Sequence, residues 1–346
     1  MDKLFDSLAS QIKMVEELRK SSAEHIRTNK TRLNGAELII PVEKGAFNGN
    51  IAAVDGGLLA KELHGCDLVL TRAVAAIFEY ENNILKKHYY HPEPSPIPKL
   101  DGLANGLDIM DFNWYQSIAR LKSEIGTAIE TVEKFELDML LLDGSILPQT
   151  QDRPAESSEI RREYLELLEL YKKLYKKSTD KGCKLLSVIK DCRAKRIVEM
   201  LKAADLKVEE KKVLEMSNDT LFLQFLLKKG ERTCVVPYSN NWIENSILKE
   251  LAPWGQQINV FYMQCAEMDR PMRIEMIGSD TEEVASKLYS LSAINEKYAY
   301  PAVLIEADLR AALLPEEMGR AYRSLFGRLG NVPSLMNLKR NSRPFR

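Results

Sequence analysis

Histidine is scarce in this chain, with four among 346 residues. None lies in a nucleophile-elbow context, so a Ser/His/Asp hydrolase finds no support. His88 and His91 have His-x-x-His spacing but no third ligand nearby, which falls short of a zinc site. The five cysteines, Cys66, Cys183, Cys192, Cys234 and Cys265, include no Cys-x-x-Cys pair. Their scatter argues against zinc and for a reducing, cytoplasmic setting. No apolar run reaches the length that spans a bilayer. The opening MDKLFDSLASQIKMVEELRK patterns as an amphipathic helix, not a signal peptide. An excess of one charge is missing too: 49 Lys+Arg against 50 Asp+Glu leave a net charge of −1. Any polyanion site must therefore rest on local clustering. Gly56-Gly57 is followed by no Gly-Lys-Ser/Thr, which excludes a phosphate-binding loop. The composition, 45% hydrophobic and 29% charged, is that of a soluble globular protein with material for one large domain or two.

Against these absences stand two acidic residues, each closing an apolar run and each followed by Gly. Asp55 ends IAAV in IAAVDGG, and Asp143 ends MLLL in MLLLDGS. Asp-Gly after a strand is also a common turn signal, and either site alone reads that way. Together they predict two carboxylates at the mouth of one sheet, each with a turn behind it. Like charges so placed are costly unless a cation or a shared proton offsets them. A divalent ion with oxygen ligands, Mg²⁺ or Mn²⁺, is the usual solution. That combination points to phosphodiester chemistry.

The element order sharpens the expectation. Residues 1 to about 33 pattern as one helix, with Leu4, Leu8, Ile12, Val15 and Leu18 on one stripe. Strands are predicted over 51–55 and 68–80, then 84–90 beyond a hairpin turn at Glu81-Asn82-Asn83. His91 to Pro98 must be an extended connection. Helix is expected from about Asp111 to Phe135, strand over 139–143, helix over 158–181 and strand over 184–190. Further strands are expected near 232–237, 258–264 and 272–276, and helices over 194–204, 281–294 and 307–314. Hairpins first, then strand–helix alternation, imply an α/β protein with a mixed sheet flanked by helices. The ribonuclease H-like fold has this order, and it draws acidic residues from a first strand, a following helix and the strand after that helix. Among Glu124, Glu130 and Glu133 on that helix, Glu124 falls beside Leu121 and Ala128 of the apolar stripe and is preferred. Lys190 ends LLSVIK at the same sheet edge, where it would neutralise a phosphate; a solvated strand-end lysine fits as well. Asp191 reads as a cap for the next helix. Basic residues cluster in the N-terminal helix, over Lys172–Arg196 and in the tail, and these read equally as solvated faces. Trp242, Trp254 and Tyr262 read as core by default, with stacking on bases as the alternative.

These residues resemble the NurA family of nucleases, whose members share a ribonuclease H-like core. The resemblance runs from about residue 35 to 330, through AAVDGG (52–57), LLLDGSI (140–146), SVIKD (187–191) and YAYPAVLIEADLRA (298–311). It implies a nuclease domain over 35–330, preceded by an amphipathic helix (1–34) suited to a dimer or partner contact and followed by a basic tail (331–346). It implies that Asp55, Asp143 and Glu124 hold Mn²⁺ or Mg²⁺, and that Tyr300 is the active-site tyrosine. Eight residues after that tyrosine the family often carries His; here the position is Asp308, which can bind a second metal or orient water but cannot titrate as an imidazole. The implied activity is 5′-to-3′ exonuclease and single-strand endonuclease cleavage of DNA. Single-stranded DNA and double-stranded ends would be the substrates. The protein would work as a homodimer in DNA end resection and double-strand break repair, with a HerA-type hexameric ATPase. Asp308 keeps open a second reading, a weak or inactive DNA-binding scaffold of the same fold. An RNA-directed nuclease stays open as a third, since contacts to a 2′-hydroxyl leave no sequence signature here.

Overall fold

The computed structural model describes residues 2–329 apart from Asn105, Asp205 and Ala293, so the expected basic tail over 331–346 lies outside the described residues. The chain sorts into two compact units, each assembled from three segments. The amino-terminal unit takes Met1–Phe47, Leu186–Asn245 and Gln256–Ala302; the central unit takes Asn48–Leu185, Ser246–Gly255 and Val303–Arg346. The single stretch expected over 35–330 is thus divided between two cores, and the N-terminal helix belongs to one of them. Sequence order hides this, because strand partners far apart in the chain decide which segments share a core.

In the central unit the long strand Gly49–Glu62 lies antiparallel to Cys66–Glu81 and parallel to Met139–Asp143, which makes the sheet mixed. Ile51 to Val54, Val69 and Val74 to Ile77 are buried, as expected of strands covered on both faces. Strand Ile84–His91 pairs with the upper part of Cys66–Glu81 across a two-residue turn in which Asn82 and Asn83 have φ of 51° and 63°. Asn tolerates this left-handed region, so the predicted hairpin forms with the twist that suits paired strands. A strand not expected from the sequence, Lys99–Ala104, follows the proline-rich connection and pairs with the lower part of the same partner. Helix Ile109–Lys134 starts at Asp108, whose side chain accepts from the N–H groups of Met110 and Asp111. It buries Ile118, Leu121, Ile125, Ala128 and Val132 between the sheet and helix Arg161–Asp180, which buries Tyr164, Leu167, Tyr171 and Leu174. Helix Ala302–Ala311 and helix Pro315–Leu329 complete the unit.

In the amino-terminal unit the strand order is Ile39–Pro41, Glu231–Thr233, Ile258–Gln264, Met272–Ile277 and residues 186–189, all antiparallel neighbours. Helices Asp2–Thr28, Arg196–Lys202, Val208–Glu215 and Asp219–Leu226 pack with them around Ile26, Leu201, Phe222, Leu223 and Tyr262. The first helix enters this core only by its last turns, through Ser22, Ala23 and Ile26. Leu4, Phe5, Leu8 and Ile12 are exposed. No helix among the described residues is long and apolar enough to cross a membrane.

Candidate active site

Strand register brings the two aspartates together. Ile51 to Val54 of the long strand pair in order with Met139 to Leu142. The next residue on each strand is therefore the acid, and Asp55 and Asp143 stand side by side. The turn expected behind Asp143 is present, with Gly144 at φ +94°. The turn expected behind Asp55 is absent. The strand continues through Gly56 and Gly57 to Glu62, paired throughout with Cys66–Glu81. The two glycines serve close approach instead. A Cβ on Gly57 would lie 2.2 Å from the Ala311 carbonyl oxygen, and one on Gly56 would lie 3.2 Å from a Glu124 carboxylate oxygen. The Asp-Gly-Gly sequence therefore lets two helices come down on the strand beside Asp55.

One of those helices delivers Glu124, which is 2% exposed and receives Arg120 at 3.0 Å from one turn earlier. Burial pushes the Glu124 carboxyl up to about 8, against the pull of Arg120, and Asp55 and Asp143 push the same way. Burial likewise raises Asp55 to about 6, reinforced by Asp143 and opposed by the Gly56 N–H, which donates to its Oδ1 at 2.7 Å. Desolvation and like charge thus combine at one point. Arg120 was missed in the sequence, although an Arg four residues before an acid on the apolar stripe is the signal for it. Glu130 and Glu133 have other partners: Glu130 receives His91 at 2.8 Å and Glu133 receives Lys177 at 3.1 Å.

The second helix, Ala302–Ala311, carries Asp308. This residue is exposed, yet its negative charge repels the Asp55 carboxyl and adds to the upward push on it. Arg72 holds the end of this helix, donating to the carbonyls of Ala312 at 3.0 Å and Pro96 at 2.8 Å and pairing with Glu317. Tyr90 donates to Glu306 at 2.7 Å from the sheet edge. The position of Asp308 is therefore fastened on both sides.

Among the described residues no group of three or more His, Cys, Asp or Glu side chains is spaced to hold a metal ion. The donor chemistry still fits a divalent cation. The assembled groups are hard carboxylate oxygens; burial first, and the neighbouring acids after it, favour protons on Asp55 and Glu124, and a divalent ion would relieve the repulsion among them.

Lys190 and Tyr300 meet each other in the amino-terminal unit. The Lys190 Nζ lies 3.6 Å from the centre of the Tyr300 ring. Tyr300 is fully buried, and its hydroxyl donates to the Val188 carbonyl at 3.1 Å. The tyrosine therefore offers its ring face to the ammonium and its hydroxyl to the backbone, which fixes the direction of Lys190. Asp191 does not cap the next helix, which starts only at Arg196; it pairs with Arg270 at 3.2 Å.

Comparison with known proteins agrees with this fold. The NurA domain family matches residues 49–313. No curated protein matches significantly. The NurA nuclease from Sulfolobus solfataricus is 15% identical, with 95% of this chain and 97% of that chain covered and a TM-score of 0.56. Another NurA crystal structure is 12% identical over 94% of this chain and 99% of that chain, with a TM-score of 0.53. A structure of NurA bound to dAMP and manganese is 13% identical over 96% and 98%, with a TM-score of 0.49. The first two share with this chain an α/β fold of a mixed sheet flanked by helices.

Proposed function

The chain belongs to the NurA family, and from that premise we propose that it is a metal-dependent DNA nuclease. The observation that carries the proposal is the meeting of Asp55, Asp143 and Glu124, where burial and the neighbouring acids hold the Asp55 and Glu124 carboxyls above their ordinary range. Asp55, Asp143 and Glu124 would hold Mn²⁺ or Mg²⁺. When bound, the ion supplies Lewis acidity toward a phosphoryl oxygen and a water activated at neutral pH. Arg120 keeps Glu124 aimed at the aspartates. Asp308, whose charge pushes the Asp55 carboxyl upward, would serve a second ion or orient the water. Lys190, directed by Tyr300 within the amino-terminal unit, would counter the charge of a bound phosphate.

Family membership supports the finer reading: 5′-to-3′ exonuclease and single-strand endonuclease action at DNA ends, in the cytoplasm, as a homodimer working with a HerA-type hexameric ATPase in end resection. The exposed Leu4, Phe5, Leu8 and Ile12 of the first helix support its use as a dimer or partner contact. Asp308 favours one alternative, a DNA-binding scaffold with little cleavage. The deciding experiment incubates end-labelled single- and double-stranded DNA with the protein in Mn²⁺, Mg²⁺ or EDTA, beside Asp55→Asn. Metal-dependent cleavage that the substitution removes supports the nuclease. DNA retention without cleavage under either metal transfers the conclusion to the scaffold.

A further inference from the structure

We propose that a cleft in the amino-terminal unit, between the start of helix Arg196–Lys202 and the loop 238–245, is a second, non-catalytic site that grips a phosphodiester of the DNA strand. The cleft has a volume of about 650 Å³ and is lined by Arg196, Arg273, Tyr238, Ser239, Asn240 and Asn241. Two guanidiniums share its wall. Arg273 is 3% exposed and locked: its Nε donates to Glu275 at 2.7 Å and its Nη1 to the Tyr262 hydroxyl at 2.9 Å. The Tyr262 hydroxyl donates in turn to Asp219 at 2.7 Å, and Asp219 accepts the Val198 N–H at 2.9 Å. The N–H of Val198 is thus already taken, and the site is built from arginine side chains instead of a helix end.

Arg196 differs from Arg273. Its Nε donates to the Pro237 carbonyl at 2.8 Å, but its Nη2 is buried with no hydrogen-bond partner. A buried N–H left unpaired has lost its bond to water and gained none in return. Burial lowers the Arg196 pKa and the neighbouring Arg273 adds to the lowering, while Asp219 opposes both. An anion seated in the cleft would supply the missing counter-charge, and a guanidinium fork matches phosphate geometry. The other charges of the cleft do not answer Arg196. Glu199 is paired with Lys202 at 2.9 Å, Lys195 donates to the Glu215 carbonyl at 3.2 Å, and Glu244 is exposed.

The neutral lining favours a nucleic-acid strand. Asn240 and Asn241 bring amide groups suited to phosphate and sugar oxygens, while the Ser239 hydroxyl donates to the Asn241 carbonyl at 3.2 Å. Tyr238, half-buried with Arg273 5.1 Å from its ring centre, gives an aromatic wall for a base. Assigning the strand as DNA rests on the nuclease reading; the anion site itself rests on Arg196 and Arg273 alone.

The test is fluorescence anisotropy of a labelled single-stranded DNA oligonucleotide in EDTA, where no cleavage occurs, over a salt series. Arg196→Ala should weaken binding about tenfold and reduce the slope of log K against log salt by about 0.7, the share of one phosphate contact on a single strand. Asn240→Asp changes only an exposed side chain and should weaken binding by repulsion, which keeps the test sound if Arg196→Ala folds poorly. Wild-type affinity and slope in both variants would overturn the proposal. If the parent binds no DNA but inorganic phosphate raises its melting temperature and leaves Arg196→Ala unmoved, the strand assignment fails. Failure of the nuclease reading is registered separately, by the cleavage assay with Asp55→Asn.

Discussion

In the amino-terminal unit Arg273 and Glu275 are buried against each other at 2.7 Å, and Tyr262 links them to a fully buried Asp219. In the central unit Glu124 is equally deep, yet it faces Asp55 and Asp143, and the cation that answers it is the half-buried Arg120. Both units take charge out of water, which is costly in either place. In the first the cost is offset internally by short hydrogen bonds between opposite charges, and the result is a rigid brace. In the second, acids outnumber their cation, and the surplus is relieved only by protons or by an arriving ion. Buried charge that is balanced marks architecture, and buried charge that is unbalanced marks a site.

The largest effect should separate the two kinds of charge directly. Asp55→Asn or Asp143→Asn should lower DNA cleavage roughly a thousandfold, the scale of several kcal/mol of lost charge stabilisation. The metal-free melting temperature should stay level or rise, since repulsion is relieved. Single-turnover cleavage and thermal melts check both; cleavage within tenfold of the parent would break the contrast. Arg273→Met should do the reverse, costing about 3–5 kcal/mol in urea unfolding because the buried Glu275 loses its opposite charge. A loss below 1 kcal/mol would show that the brace is dispensable.

Arg120→Met probes the border between the two cases. Without its partner Glu124 becomes an uncompensated buried acid, so metal-free stability should fall by about 1–3 kcal/mol. Added Mn²⁺ should then raise the melting temperature more than it does in the parent, and an equal rise in both would remove Arg120 from the account. The smallest effect is one of pH. Asp55 and Glu124 titrate at about 6 and about 8 in the folded protein, above the ordinary carboxylate range near 4. Between those limits the folded state binds more protons than the unfolded state, so metal-free stability falls as pH rises through the window. Melts from about pH 5 to pH 8 should show that decline, and Glu124→Gln should flatten its upper part. A metal-free curve that climbs over this range would contradict the assignment.

The comparison also explains which parts could be read from the chain. Features set by short-range rules were legible: the apolar runs ahead of Asp55 and Asp143, the Asn82-Asn83 turn, and the stripe that places Glu124 with Leu121 and Ala128. Periodicity and backbone preference act over a few residues, and the local sequence carries them in full. Tertiary structure alone decided that Asp55 sits within a strand of fourteen residues, that this strand lies parallel to Met139–Asp143, and that Asp308 reaches Asp55. It also decided that Tyr262 joins Asp219 to Arg273, and that the chain divides into two units of interleaved segments. Each of these depends on pairing between residues far apart and on how much water is excluded where they meet. Desolvation belongs to the assembled surroundings and not to any one side chain, so the raised carboxyls of the candidate site arise only when the chain has folded.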